Sequence, residues 1–323
     1  MEVVSRQRRR AGRDVSRRVV ALALGVCLVT SCGGGDPEGE TEPTRSASGA
    51  PTSSGDGGRT RSPDSQSTAS GLPTMPATGD AATLARQIGR AAAILRDRDA
   101  QAGDVRRAAE FQQLAVHTLA AASGGFRREV TDRLPPGTAR VTRSDVRAAR
   151  SLRTLTDPAR TLPRWRIVAA PPATELLGYY REAQRRTDVP WTYLAAIHLV
   201  ETRMGRIRGT STAGARGPMQ FIPSTWKLYG AGGDINDPRD AILAAGRLLE
   251  DNGAPDDMAA ALRAYNPSDD YVRAVTEHAR TMQRSASAYH GYWHWRVLYR
   301  HTRGTYVLPV GYPDERPVRL PED

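Results

Sequence analysis

Residues 190–205 read PWTYLAAIHLVETRMG and residues 217–230 read GPMQFIPSTWKLYG, and a Gly-, Ser- and Thr-rich loop joins the two. Proline suits a first helical turn, Asp188 is placed to cap it and Gly205 to end it, so one apolar helix is expected between them. Within it Leu194, Ile197, His198 and Glu201 recur three or four apart and form a stripe that should face the core. An acid at the C-terminal end of an apolar stripe is unusual. Desolvation penalises its charged form and raises its pKa, and the negative end of the helix dipole acts in the same direction. Such a carboxyl stays protonated near neutral pH and can serve as a general acid. The plainer alternative is a Glu turned outward to pair with Arg203, Arg206 or Arg208.

Working outward, helical periodicity continues on both sides. Ala173 to Arg186 carries Leu176, Leu177, Tyr180 and Ala183 on one face. Asp237-Pro238 starts another helix, with Ala241, Ile242, Ala245, Leu248 and Leu249 as its buried face and Gly253 at its end. Met258 to Tyr265 and Tyr271 to Met282 read as two more. No hairpin-like strand pair is legible between residues 173 and 282, so this part of the chain is expected to be almost wholly helical. Upstream, stripes such as Leu84, Ile88, Ala91, Leu95 and Val105, Ala108, Phe111, Ala115, Leu119 mark residues 83–157 as a helical extension in which no chemistry is evident.

At this point three blocks carry a resemblance. Glu201-Thr202, then Ser211 with Gly214, Ala215, Gly217, Met219 and Gln220, then Ala264-Tyr265-Asn266, stand in the order and separation that resemble the catalytic domain of the soluble-type lytic transglycosylases. The wordings ETRMG and QFIPSTW are also similar to the membrane-bound B type, and residues 164–284 as a whole resemble actinobacterial lipoproteins of this activity. The resemblance implies a mainly α, lysozyme-like fold that cleaves the β-1,4 bond between N-acetylmuramic acid and N-acetylglucosamine of peptidoglycan glycan strands. By it Glu201 is the catalytic acid, while Ser211, Gly214, Gly217, Met219 and Gln220 build the sugar cleft, and Tyr265 and Asn266 line the cleft and orient the acid. No cofactor is expected, and His290, His294 and His301 have no supporting Cys or acid cluster, so no metal site is expected either. Pro218 and Pro267 depart from the usual pattern and leave the loop shapes open. Among the remaining acids Asp237, Asp240, Asp269 and Asp270 fall at helix starts, which leaves Asp234 as an outside candidate for a second carboxylate.

The flanks suggest where this domain works. Residues 1–31 combine an Arg-rich start, a short apolar run from Val19 to Val29, and Val29-Thr30-Ser31 before Cys32. The run is too short for a typical spanning helix. The segment resembles a lipoprotein signal peptide, which makes Cys32 the lipidated first residue of an exported chain anchored on the outer face of the cell membrane. Cys27, the only other cysteine, lies in the segment to be removed, so no disulfide is expected. Residues 32–80 read as a tether: of residues 33–80, 31 are Gly, Ser, Thr or Pro. As a coil that stretch spans roughly 40 Å, with a reach of about 160 Å.

The charge concentrates in what remains. Removing seven Arg and two acids with residues 1–31 lowers the net charge from +11 to +6, and residues 32–80 carry −4, which leaves +10 on residues 81–323. Almost all of it is Arg, since Lys227 is the only lysine. Such a surface suits an anionic polymer, and export leaves nucleic acid out of contention. In residues 285–323, Trp293, Trp295, Val297 and Tyr299 alternate with His294, Arg296, Leu298 and Arg300, so a β-hairpin is expected, its aromatics either packing onto the parent domain, the favoured reading, or stacking on sugar rings; Pro313 to Asp323 reads as a loose tail. Two alternatives to the transglycosylase stay open from sequence: a hydrolytic muramidase using the same acid, and an inactive lipoprotein that binds peptidoglycan or recruits other cell-wall enzymes.

Overall fold

The computed structural model describes residues 71–321, so the signal-peptide reading, Cys32 and most of the expected tether lie outside the described residues. Among the described residues, eleven helices and five short strands follow in order. The first four helices are α1 (Ala81–Arg96), α2 (Ala102–Ala121), α3 (Gly124–Asp132) and α4 (Pro136–Thr154). After β1 (Arg166–Ile167) come α5 (Ala173–Thr187), α6 (Trp191–Thr202), β2 (Ile207–Arg208), α7 (Pro223–Tyr229), α8 (Pro238–Asp251), α9 (Met258–Tyr265), α10 (Asp269–Arg284) and α11 (Ala286–Trp293). The chain closes with β3 (Val297–His301), β4 (Gly304–Leu308) and β5 (Val318–Arg319).

Local chemistry sets many of these limits. Asp80, Ser123, Asp237, Asp257 and Ser268 cap α1, α3, α8, α9 and α10 by accepting from backbone N–H groups of the first turn, each worth about 1 kcal/mol. The start of α6 is built differently from the sequence expectation. Asp188 is left-handed at φ 55° and closes α5 through its own N–H to the Gln184 carbonyl, so it caps nothing downstream. Gln184 reaches forward instead, and its Oε1 accepts from Trp191 N–H at 2.7 Å. At the other end Arg203, Met204 and Gly205 all have positive φ, which stops α6 abruptly after Thr202.

Helix α6 is the centre of the larger core. Ten of its twelve residues are buried, so the stripe legible in the sequence understates it: the helix is enclosed on every face. Helix α10 packs on it and, more extensively still, on α4, while α5 packs on α8. A second cluster, built on Leu84, Ile88, Phe111 and Leu119, joins α1 to α4. Leu72 is buried in that cluster and Ala77 N–H donates to Gln87 Oε1, so residues 71–80 lie on the helices and are not part of a free tether. The physical reason is that Leu72 and Met75 supply apolar anchors that a count dominated by Gly, Ser, Thr and Pro conceals.

The expected hairpin is present as β3 against β4, with Val297 opposite Leu308 and His301 opposite Gly304. Two details differ. Trp293 ends α11, a helix not foreseen, and Trp295 is buried in the turn after it, so neither belongs to the strand. Within the tail, Val318 and Arg319 add a third strand to β4. The aromatics do pack inward: Trp293 Nε1 donates to the Pro171 carbonyl at 2.9 Å, and Trp295 stands edge-on to His278 and Tyr292.

Candidate active site

Glu201 sits in the last turn of α6, 1 % exposed. Its Oε1 accepts from the Tyr271 hydroxyl at 2.7 Å, and its buried Oε2 has no hydrogen-bond partner. Burial pushes its pKa from 4.5 up to about 8, and the Tyr271 hydrogen bond, which favours the carboxylate, offsets only part of that. Tyr271 itself is held well above its ordinary value by burial and by the neighbouring carboxyl, so it remains a donor. The outward-facing alternative is excluded by this geometry. A carboxyl protonated at neutral pH, with one oxygen fixed and the other uncommitted, is equipped to give up a proton.

The acid lines a cavity of about 220 Å³ whose other walls are mostly not its own neighbours in sequence. They come from α2 (Gln113, Val116), the end of α4 (Leu152, Arg153) and strand β3 (Val297, Tyr299). His278, two turns along α10 from Tyr271, is buried in the same wall, its Nδ1 3.6 Å from Asp145 of α4. Tyr292 donates to the other side of that interaction, at Asp145 Oδ1. Exposed Asp157 is a second carboxylate on the cavity lining. The sequence offered no sign of chemistry in residues 83–157, yet that stretch closes one side of the acid's cavity.

None of the seven residues expected to bind substrate lines that cavity. Five of them lie in the loop between β2 and α7, while Tyr265 ends α9 and Asn266 follows it. Ser211 Oγ accepts from Ala215 N–H, and Ser211 N–H donates to the Ala215 carbonyl, each at 3.0 Å, which ties the loop across itself. Gly217 has φ +73°, and a Cβ there would lie 1.9 Å from the Ile235 carbonyl oxygen, so only glycine fits. Gly214, at φ +81°, faces open space. Gln220 is left-handed, and its Nε2 folds back to donate to the Gly217 carbonyl at 2.9 Å. Met219 is buried and its carbonyl accepts from the Tyr265 hydroxyl at 2.5 Å. Asn266 is buried with its Oδ1 accepting from Ser268 N–H.

A chain of contacts connects this loop to the acid. Thr202 Oγ1 donates to the Pro218 carbonyl at 2.6 Å; Tyr265 reaches from α9 to Met219; and the Tyr265 ring stacks on Tyr271, centroids 6.3 Å apart and planes within 5°. The hydroxyl on Glu201 therefore belongs to Tyr271, whereas Tyr265 holds the loop. Its register placed Tyr271 on the inner face of an amphipathic helix, a signal that marks burial but not the contact with Glu201. Asp234 satisfies its own turn by accepting from Asn236 N–H, Asp240 accepts from Asp234 N–H, Asp237 caps α8, and Asp269 and Asp270 pair with Arg263 and Arg273. His198, behind Glu201 on α6, is kept neutral: burial, then Arg208 and Arg206, lower its pKa to about 3.

The domain is helical and buries one acid beside a glycine-shaped loop, an arrangement suited to general acid catalysis. Residues 178–287, about a third of the chain, match the family model of the Transglycosylase SLT domain, which supports a lysozyme-like catalytic domain of the lytic-transglycosylase family in this part of the chain; that family acts on peptidoglycan. No match is found among curated proteins or solved structures.

Proposed function

We propose that this chain is a peptidoglycan lytic transglycosylase that cleaves the β-1,4 bond between N-acetylmuramic acid and N-acetylglucosamine and leaves 1,6-anhydro-N-acetylmuramic acid ends. The observation that carries the reading is Glu201: buried, held at a pKa of about 8 and bonded by Tyr271, within the residues matched by the family model. In its protonated form Glu201 gives its proton to the leaving glycosidic oxygen as the C1–O bond breaks, while the substrate's acetamido group shields C1. The resulting carboxylate, steadied by Tyr271, then takes the proton of the C6 hydroxyl, whose oxygen bonds to C1 and closes the anhydro ring. Water is not consumed. Tyr271 favours the charged form and burial favours the neutral one, which suits a group that must be acid and then base in one turnover.

The cellular setting in this reading follows from the sequence. Export, lipidation at Cys32 and a tether would place the domain against the wall for remodelling, and its +10 charge favours an anionic polymer. A hydrolytic muramidase is the second reading, because exposed Asp157 on the cavity wall is a carboxylate that would activate water. Mass spectrometry of products released from purified peptidoglycan by the intact chain decides between them. Anhydro ends that vanish with Glu201→Gln and persist with Asp157→Asn support the transglycosylase. Reducing ends one water heavier, lost with Asp157→Asn, replace it with the muramidase.

A further inference from the structure

A second cavity, of about 660 Å³, opens where α2, α11 and the C-terminal sheet meet, and of its lining only Arg206 falls within the family-matched residues. Three arginines, Arg106, Arg206 and Arg296, face it against a single acid, Glu110. Glu110 lies 3.7 Å from Arg296 Nε and also acts on Arg206, and neither Arg106 nor Arg206 is within ion-pair distance of a carboxylate among the described residues. The Arg206 guanidinium lies over the Trp293 ring, 5.4 Å from its centroid, and that indole is fixed by its hydrogen bond to Pro171. His294 between them is neutral at physiological pH, its pKa lowered to about 4 by burial and then by Arg206 and Arg106. Three cations against one acid on a single cavity call for an anion.

The rest of the lining narrows the anion's chemistry. Ile167, Val297, Val307 and Leu308 form apolar walls, and Val310 and Val318 are large aliphatic groups left exposed at its rim. A bare polyphosphate would gain nothing from such walls, whereas a short peptide carrying carboxylates and small aliphatic side chains would use both. Position agrees with this. Arg206 is five residues beyond Glu201, a span of at most about 18 Å, and Val297 lines both this cavity and the acid's.

We propose that this cavity is a stem-peptide site: it takes the carboxylate-bearing peptide attached to the muramic acid of the substrate, seating a carboxylate among Arg106, Arg206 and Arg296 and small aliphatic side chains against Trp293 and the valines. It rests on the peptidoglycan reading above and adds to it a preference for stem-bearing glycan. Being built from α2 and the C-terminal sheet, it gives those flanking segments a part in substrate choice.

Calorimetric titration of the intact chain with N-acetylmuramoyl-L-alanyl-D-isoglutamine, which carries one carboxylate, tests the site directly. Its methyl ester should bind about tenfold more weakly, and Arg106→Gln, at an exposed position where folding is not at stake, should weaken the acid by a similar factor. Arg140→Gln, the same charge loss on an exposed part of α4, should leave it unchanged. Equal binding of acid and ester, or no effect of Arg106→Gln, overturns the proposal. Displacement by inorganic phosphate at equal concentration does so too, because the site would then be a general anion site. In the wall assay, Arg106→Gln should lower the ratio of rates on stem-bearing over amidase-stripped glycan severalfold. An unchanged ratio in a chain that still releases anhydro ends sinks the stem site alone; carboxylate-dependent binding by a chain that releases nothing keeps the site and sinks the catalytic reading.

Discussion

Glu201→Gln should stabilise the protein while abolishing its activity, and the gain should depend on pH in a way that its surroundings dictate. In an unfolded chain this carboxyl ionises at about its ordinary value of 4.5, whereas in the folded state burial holds it protonated up to about 8. Below pH 4.5 both states bind the proton and folding is indifferent to it. Between the two values only the folded state does, so stability falls as pH rises, by about 1.4 kcal/mol per pH unit. The total approaches about 5 kcal/mol at pH 8 and does not grow above it; at pH 7 it is about 3 kcal/mol. Gln removes the titration. Its Oε1 still accepts from Tyr271, and its amide replaces an oxygen that has no partner, so little is lost. Urea unfolding of wild type and variant, followed by Trp fluorescence at pH 5, 7 and 8.5, should give nearly equal free energies at the first and a variant more stable by several kcal/mol at the last. A difference that does not change with pH would refute the assignment of Glu201 as a buried, neutral acid.

Other consequences of the same geometry are accessible to simpler measurements. The rate of glycan cleavage should fall as pH rises through about 8, because the proton donor is then lost, and a rate that stays level to pH 9 counts against Glu201 as the acid. Tyr271→Phe removes the one donor on Oε1, so the alkaline limb should move upward in pH and stability should drop by about 1 to 2 kcal/mol, both readable in a pH–rate profile with thermal unfolding beside it. Gly217→Ala should cost about 3 kcal/mol or more, since a Cβ at positive φ would collide with backbone at 1.9 Å, whereas Gly214→Ala, strained but unobstructed, should cost about 1 kcal/mol; equal melting temperatures for the two would be inconsistent with the loop described. Glu277→Gln breaks the paired contacts from Arg147 and Ser144 that clamp α4 to α10, and about 1 kcal/mol should be lost in denaturant titrations.

Much of this was written locally in the chain. Periodic apolar residues, Pro at helix starts and Asp or Ser before them marked the helices, and Glu201 was identifiable because an acid closed an apolar run. What escaped the sequence was the meeting of residues distant in the chain. Tyr271 contributes a hydroxyl to an acid seventy positions earlier, and nothing at its own position distinguishes that role from ordinary packing. Asp188 satisfied every local rule for a cap, yet a longer side chain one helix back, Gln184, took the role. Alternation around Trp293 suggested a strand, but inward aromatic packing made the first part of that run a helix.

The acid's environment shows why the flanking segments matter to the chemistry. A carboxyl is raised to about 8 only where water is kept from it, and the walls that do so beyond α6 and α10 come from α2, the end of α4 and β3, which lie outside the family-matched residues. The family domain supplies the acid, its phenol and the loop. The extension and the C-terminal sheet close one side of the cavity, and α2 and the sheet also carry most of the arginine-lined site beside it. Proton affinity at Glu201 is therefore a property of the assembled chain, and perturbations of α4 or β3 that admit water should act on the pH profile before they act on the acid's position.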